Sequence, residues 1–427
     1  MSPADEVLRP MLRTVETIID EESLRARLDA GERLRIKYGV DLTAPDLHLG
    51  HAVNLWLMRH LQDHGHTVVF LLGDTTTRVG DPTGRSRTRP VLGEEEIARN
   101  GQAFLEQVSL VLRTEPELLE VRRNSEWYGP MGVSEMLSLF SLTTHAQLMA
   151  RDMFRDRVAQ GREIALHELA YPVLQGYDSV AMDSDLTIVG SDQLFNEMMG
   201  RHYQQRLGRR PQAVMTTVIT PGLDGGAKQS KSLRNYVALT DAPGEKLGKV
   251  MSLPDALVGT WASAYTDLPD ERVAEIAAAA EAGGAPARDA KLDLAAAIVS
   301  RYHGADAAAR ARAQFLAVFS AGAAPEEIAD LELDPAGADR DAASLSGSGP
   351  GGVRIPALEL LGRARPELSR SAARRLLAQG AVRVDGAVVT DPEAILEVAD
   401  GALLRTGRRS WTRVRLVPGP ERGGAAR

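Results

Sequence analysis

Two short clusters in this chain of 427 residues combine side chains suited to phosphate chemistry. The first, His48-Leu49-Gly50-His51, follows Asp41 and Thr43 where a strand passes through a turn at Pro45 into a helix. Histidines three apart share a helical face, and Gly50 between them leaves room for a flat or bulky ligand against the backbone. A helix N-terminus adds unpaired N–H groups and the positive end of a dipole, which favour phosphate. On its own the H-x-x-H pair is weak, because surface and core histidines are common and metal binding needs further ligands. The second cluster, Lys228-Gln229-Ser230-Lys231-Ser232, lies between the glycine-rich LDGGA and the apolar YVALT. Two lysines on a mobile lid suit negative charge developing on a departing polyphosphate. A basic loop alone is more often solvated surface, but both clusters in this order and separation point to nucleotide chemistry.

The elements that must position these residues read as βαβ units. A short strand at IKYGVD leads through the loop into a helix at AVNLWLMRHLQDHG, and the continuous β-branched run from Thr67 to Leu72 fits a strand buried on both faces. Further strands are expected at Ser184–Gly190 and Ala213–Ile219, giving an α/β fold with a parallel sheet over residues 1–252. Before them, the spacing of Leu8, Met11, Leu12, Val15, Ile18 and Ile19 predicts a helix to about Arg35. Alanine-rich helical periodicity predicts a helical subdomain over 253–333, and the Gly/Ala/Ser/Asp-rich residues 334–352 read as a flexible linker. A compact basic unit follows at 353–417, then a disordered tail at 418–427.

Composition narrows the classes. With 44% hydrophobic and 25% charged residues the chain is globular, and its length suits two to four domains. The absence of cysteine excludes disulfides, thiolate metal sites, iron–sulfur clusters and a catalytic thiol. No apolar run of about 18 residues is present for a membrane helix, and the acidic N-terminus has no signal-peptide core. The expected compartment is the cytoplasm. A net charge of −8 argues against a surface coated for nucleic acid, while leaving room for a basic domain.

HLGH and KQSKS resemble the HIGH and KMSKS signatures of class I aminoacyl-tRNA synthetases. KYGVDLTAPDLHLGH, GDPTGR, YPVLQGYD, VGSDQLFN and KQSKSLRNYVAL further resemble the bacterial tyrosyl-tRNA synthetases, over essentially the whole chain. The resemblance implies a Rossmann-type catalytic domain and two steps: L-tyrosine and ATP form tyrosyl-adenylate and pyrophosphate, then the tyrosyl group passes to the 3′ end of tRNA(Tyr). It implies that His48, His51, Lys228 and Lys231 act on the phosphates, and that Asp41, Thr43, Gly50, Gly190, Asp192 and Ser230 bind ATP. Asp81, Tyr171 and Gln175 would meet the tyrosine ammonium, Asp178 the phenol hydroxyl, and Gln193 the substrate between them. Lys37, where many members carry a tyrosine, is the expected pocket residue in place of Tyr38, because strand alternation sets Lys37, Gly39 and Asp41 on one face. Mg²⁺ is expected to arrive with ATP, and the family further implies a homodimer. Departures from the family pattern are Leu42 for a proline, Thr77 for a glycine, Val189 for a glycine, Gln229 for a methionine and Arg234 for a glycine.

The C-terminal unit resembles an S4 RNA-binding domain. Arg370, Arg374 and Arg375 form a helical stripe of cations, and Arg383 stands in the hairpin signalled by VRVDGAVV. Composition alone favours a solvated amphipathic helix there, and the family context favours RNA. Two other functions fit the same residues: a paralogue activating a modified tyrosine, or an inactive protein retaining only RNA binding.

Overall fold

The computed structural model describes residues 1–43, 46–82, 92–226, 228–230, 233–320, 328–334, 352–407 and 410–417. Chain contacts divide it into two compact units, Met1–Ala309 and Arg310–Arg427.

The first unit is built on a six-stranded sheet: β1 (Val15–Ile19), β2 (Arg35–Asp41), β3 (Thr67–Gly73), β4 (Leu119–Arg123), β5 (Leu186–Gly190) and β6 (Ala213–Thr217). Their order is β1-β6-β5-β2-β3-β4. β2 through β6 pair in parallel, and β1 closes the edge antiparallel to β6. All seven residues of β3 are buried, as a central parallel strand covered on both faces requires. The chain order reverses between β2 and β5, so a crevice opens beyond the carboxyl ends of these neighbours, which is where open α/β sheets bind ligands. Asp41 ends β2 and Gly190 ends β5. The segment read as one helix to Arg35 is instead a helix at Pro3–Leu8, a 3-10 turn, β1, and a second helix at Glu21–Asp29. Val15, Thr17, Ile18 and Ile19 are β-branched and pair with β6, and tertiary pairing overrides the helical spacing.

Helices Pro243–Met251, Val258–Tyr265, Asp270–Glu281 and Gly284–His303 also pack within this first unit. Trp261 is fully buried and its Nε1 donates to the Pro221 carbonyl at 3.2 Å, while Trp56 Nε1 donates to the Tyr302 hydroxyl at 3.0 Å. These contacts tie the helical part to the sheet domain.

The second unit has a five-stranded sheet in the order β10-β9-β12-β13-β7 and a two-stranded sheet of β8 and β11, with β7 (Ala329–Leu333), β8 (Gly352–Pro356), β9 (Val382–Val384), β10 (Ala387–Val389), β11 (Ile395–Ala399), β12 (Leu403–Thr406) and β13 (Ser410–Leu416). Asp385 and Gly386, at φ 48° and 84°, make the two-residue turn of the β9–β10 hairpin. β7 falls inside the segment 253–333 expected to be helical, but it pairs in parallel with β13 and buries Leu333 in this unit's core. Its alternation of Ala329, Leu331 and Leu333 with charged residues is too short to separate from a fraying helix by periodicity. The expected linker falls almost wholly on residues 335–351 and the expected tail on 418–427, outside the described residues.

Candidate active site

A cleft of ≈ 700 Å³ lies at the carboxyl ends of β2 and β5. Except for Lys231, which lies outside the described residues, every residue assigned above to phosphate, ATP or tyrosine lines it. At one end of the cleft, His48 caps the helix Leu49–Asp63: its Nδ1 accepts the Gly50 N–H at 3.2 Å, and His51 Nδ1 accepts the His48 N–H at 3.3 Å. The two ring centroids lie 3.9 Å apart, with the planes tilted by 45°. A Cβ at Gly50 would stand 3.0 Å from the His48 ring, so glycine is what lets that ring fold back over the helix start. The two signatures are fastened together by backbone: Leu49 N–H donates to Val237 and Leu239 N–H to Leu47, each at 3.0 Å. Lys228 Nζ reaches across to Asp192 Oδ2 at 2.7 Å. A Cβ on Gly190 would meet Asp192 Oδ1 at 2.9 Å, so the strand end must be bare for that carboxylate to stand where it does.

A second part of the cleft carries two carboxylates, Asp41 and Asp81. Tyr171 donates its hydroxyl to Asp41 Oδ2 at 3.0 Å, and Thr76 donates to Asp41 Oδ1 at 2.9 Å. Burial, then the neighbouring Asp81 charge, push the Asp41 carboxyl up to about 6. Gln193 Nε2 donates to Asp81 Oδ2 at 2.8 Å, and Asn196 supports Gln193 at 3.0 Å. An ammonium group seated between these carboxyls would favour the ionised form of Asp41. Gly39 presents bare backbone to this space; a Cβ there would touch only Leu71, at 3.6 Å.

Deeper, Asp178 is 2% exposed and its Oδ1 accepts from Trp127 Nε1 at 2.9 Å. Burial raises this carboxyl to about 7, against the opposing pull of the Lys37 charge and hydrogen bonds from Trp127, Tyr128 and Asn124. Lys37 is fully buried: its Nζ donates to Ser179 Oγ at 2.9 Å and to both Glu197 oxygens at 2.9 and 3.1 Å. Tyr38, its neighbour, is buried against Phe70 but lines the cleft as well, so alternation places Lys37 in the pocket without taking Tyr38 out of it. Sequence reading missed Trp127 and Glu197. Glu197 follows Gln193 by four residues, a spacing that sets both on one side of the chain, but nothing in the sequence separates it from a solvated glutamate.

The departures from the family pattern have physical accounts in two places. Leu42, unlike proline, keeps an N–H, which donates to Thr77 Oγ1 at 2.7 Å, and that hydroxyl donates onward to Gly73 O at 2.6 Å. One departure thus supplies the donor that the other accepts. Gln229 is buried and donates to the Tyr265 hydroxyl at 2.6 Å, tethering the lysine loop to the helix Val258–Tyr265. Arg234 occupies the left-handed region at φ 52°, where glycine would carry no strain. Nothing in the structure explains Val189 beyond its place in the cleft wall.

In the second unit, Arg370, Arg374 and Arg375 are exposed on the helix Arg370–Ala378, as is Arg383 on β9. Arg374 pairs with Glu393 at 2.9 Å, and Arg383 donates to the Gly386 carbonyl at 3.1 Å. Arg383 stands opposite Arg405 on β12, whose guanidinium lies 5.2 Å from the Trp411 ring centre.

Residues 29–320 match the family model for "tRNA synthetases class I (W and Y)", and residues 359–401 match the S4 domain. The tyrosine–tRNA ligase of Moorella thermoacetica is 42% identical over 411 residues, covering 95% of each chain. A C-terminally truncated mitochondrial tyrosyl-tRNA synthetase of Aspergillus nidulans superposes with a TM-score of 0.61 at 22% identity, over 75% of this chain and 95% of that one. Plasmodium falciparum tryptophanyl-tRNA synthetase superposes at 0.55 with 16% identity, over 73% of this chain and 87% of that one. The two structural likenesses speak for the fold alone. The family match and the near full-length identity settle the membership: the chain belongs to the class I tRNA synthetases of the tryptophan and tyrosine type and carries an S4 domain.

Proposed function

We propose that the chain is a tyrosine–tRNA ligase: it joins L-tyrosine to ATP, releasing pyrophosphate, and passes the tyrosyl group to the 3′ end of tRNA(Tyr). The observation that carries the choice of amino acid is Asp178, a carboxyl buried at the floor of the cleft. A phenol hydroxyl can hydrogen-bond to it, whereas the ring of phenylalanine would leave a buried polar group unpaired, which is heavily penalised.

In this reading no side chain forms a covalent bond. The tyrosine carboxylate attacks the α-phosphorus, a bond to the bridging oxygen breaks, and pyrophosphate departs. Catalysis is then alignment plus stabilisation of charge. His48 and His51 at the helix start, with Lys228 and Lys231 from the loop, would take up the charge of the reacting and leaving phosphates. Asp41, Thr43, Gly50, Gly190, Asp192 and Ser230 would hold ATP, so Asp192 would exchange its partner Lys228 for the ribose. Asp81, Tyr171, Gln175 and Gln193 would receive the ammonium end, with Lys37 and Gly39 shaping the ring pocket. Among the described residues no group of three or more His, Asp or Glu could hold a metal, and the Mg²⁺ we expect would come with ATP. Arg370, Arg374, Arg375 and Arg383 would meet tRNA phosphates. Among the described residues no helix is long and apolar enough to cross a membrane. A cytoplasmic homodimer fits the rest: Val133 and Leu137, one turn apart on one helix, are 79% and 62% exposed, apolar side chains that a second copy would cover.

ATP–pyrophosphate exchange with tyrosine, phenylalanine, tryptophan and ring-substituted tyrosines tests the proposal. Tyrosine alone should support rapid exchange. Turnover of an analogue without turnover of tyrosine would assign the chain to a paralogous pathway, and no exchange with any of them would leave only RNA binding.

A further inference from the structure

Glu197 is a buried charge that the reaction outlined above does not use. It stands on the helix Leu194–Arg206, is 1% exposed, and lines the cleft beside Lys37 and Gln175. Four hydrogen bonds converge on its carboxylate. Lys37 Nζ donates to both oxygens, Gln175 Nε2 donates to Oε1 at 2.8 Å, and Gln212 Nε2 donates to Oε2 at 3.0 Å. An ionised carboxylate only accepts, whereas a glutamine amide has a donating and an accepting end. Binding to Glu197 therefore fixes which way the Gln175 amide faces: its NH₂ is engaged, and its Oε1, buried and without a hydrogen-bond partner among the described residues, is left as an acceptor.

The same carboxylate holds the Lys37 ammonium. With Glu197, Ser179 Oγ at 2.9 Å and the backbone carbonyl of Gln175 at 3.4 Å, all three ammonium protons have protein acceptors. Lys37 is thereby committed as a fixed charge bound to Ser179, the residue next to Asp178, and its ammonium has no proton left over for the substrate ring. Ser179 is the residue after Asp178, so the lysine is anchored to the very turn of helix that carries the carboxylate.

We infer that Glu197 is the positioning residue of the amino-acid site, setting both of its ends at once: it presents the side-chain Oε1 of Gln175 to the substrate ammonium and holds the Lys37 charge near Asp178, which meets the ring hydroxyl. This deepens the tyrosine reading and rests on it. A positioning role of this kind governs selection, not phosphate chemistry, because none of the four hydrogen bonds reaches the histidines or the lysine loop.

The test is equilibrium binding by calorimetry on the full chain, with L-tyrosine, L-phenylalanine and 3-(4-hydroxyphenyl)propionate, which lacks the ammonium, together with KM and kcat in pyrophosphate exchange. Glu197→Gln should weaken tyrosine binding by about tenfold or more, the loss expected when a charge-assisted hydrogen-bond hub is broken. It should also narrow the preference for tyrosine over each analogue, while the KM for ATP stays within about twofold. Glu197→Asp should restore part of the preference. Unchanged preferences, or tyrosine and ATP weakened alike, would overturn the role. If Glu197→Gln fails to fold, Lys37→Met/Glu197→Met carries the test, since replacing both members of a buried pair by apolar groups is tolerated where removing one is not. That variant should fold with narrowed preferences, and wild-type preferences in it would overturn the role. Failure of the unaltered protein to bind tyrosine would instead remove the tyrosine reading itself, so the two failures are distinguishable.

Discussion

At the scale of single residues, the cleft stores unfavourable electrostatics where a ligand can relieve them. Asp178 is the clearest case: burial lifts its carboxyl from an ordinary 3.8 to about 7, even with Lys37 nearby. The folded chain therefore binds a proton that the unfolded chain has lost between those values. The stability this contributes is complete below about pH 4 and is lost as pH rises through about 7. Asp178→Asn removes that dependence. Thermal melts of the variant should decline less between about pH 4 and pH 7 than those of the wild type, and tyrosine should lose its advantage over phenylalanine in pyrophosphate exchange. Parallel declines in the two proteins would show that Asp178 does not titrate in this range. Arg234 is a different kind of strain, an exposed side chain on a left-handed backbone. Relief of that strain is worth about 1–2 kcal/mol, and the extra freedom glycine gains on unfolding offsets about half of it. Arg234→Gly should therefore raise stability by roughly 0.5–1 kcal/mol in denaturant titration.

At the scale of elements, the loops that end β2 and β3 are stitched to each other through Leu42 and Thr77. Thr77→Gly strands the buried Leu42 N–H and should cost about 1–3 kcal/mol. Adding Leu42→Pro removes that donor, so the double variant should recover part of the loss; additive losses in a double-variant cycle would mean that the two departures are unrelated. This pairing shows where reading a sequence succeeds and where it stops. The strands β2, β3, β5 and β6 were legible because buried parallel strands are apolar runs with sharp ends. The residues at their carboxyl ends were legible because motif and topology coincide there. β1 was not: Val15, Ile18 and Ile19 satisfy helical spacing as well as strand propensity, and only pairing with β6 decides between them. Lys37 could be placed in the pocket by alternation, but its partner Glu197 lies 160 residues away, and one glutamate on an amphipathic helix ordinarily reads as a solvated side chain. Departures such as Leu42 and Thr77 look independent in sequence because hydrogen bonds between distant loops leave no period to detect.

At the scale of the whole molecule, the chain divides the two halves of its proposed task between units with separate cores. The cleft residues and the helices that brace the lysine loop belong to Met1–Ala309. The exposed arginines of the S4-like part belong to the other unit, whose core includes Leu333, Val353, Leu377 and Val414. The strand Ala329–Leu333 fixes where the chain can be cut. A truncation inside it would leave a strand of the second unit without its partner β13, whereas ending the chain after Ser320 keeps the helix Ala305–Ser320 and removes both sheets of the second unit. The shortened protein should retain tyrosine-dependent pyrophosphate exchange within about threefold and lose tRNA charging, since affinity for the polyanion rests on phosphate contacts that the arginines supply. In the full chain, replacing Arg370, Arg374 and Arg375 by glutamine should weaken tRNA binding and flatten its salt dependence, because each phosphate contact removed lowers the slope of log affinity against log salt by about 1. Exchange should be unaffected in the same protein. Loss of exchange on truncation would mean that the second unit completes the cleft, and an unchanged salt slope would mean that these three arginines do not face the nucleic acid.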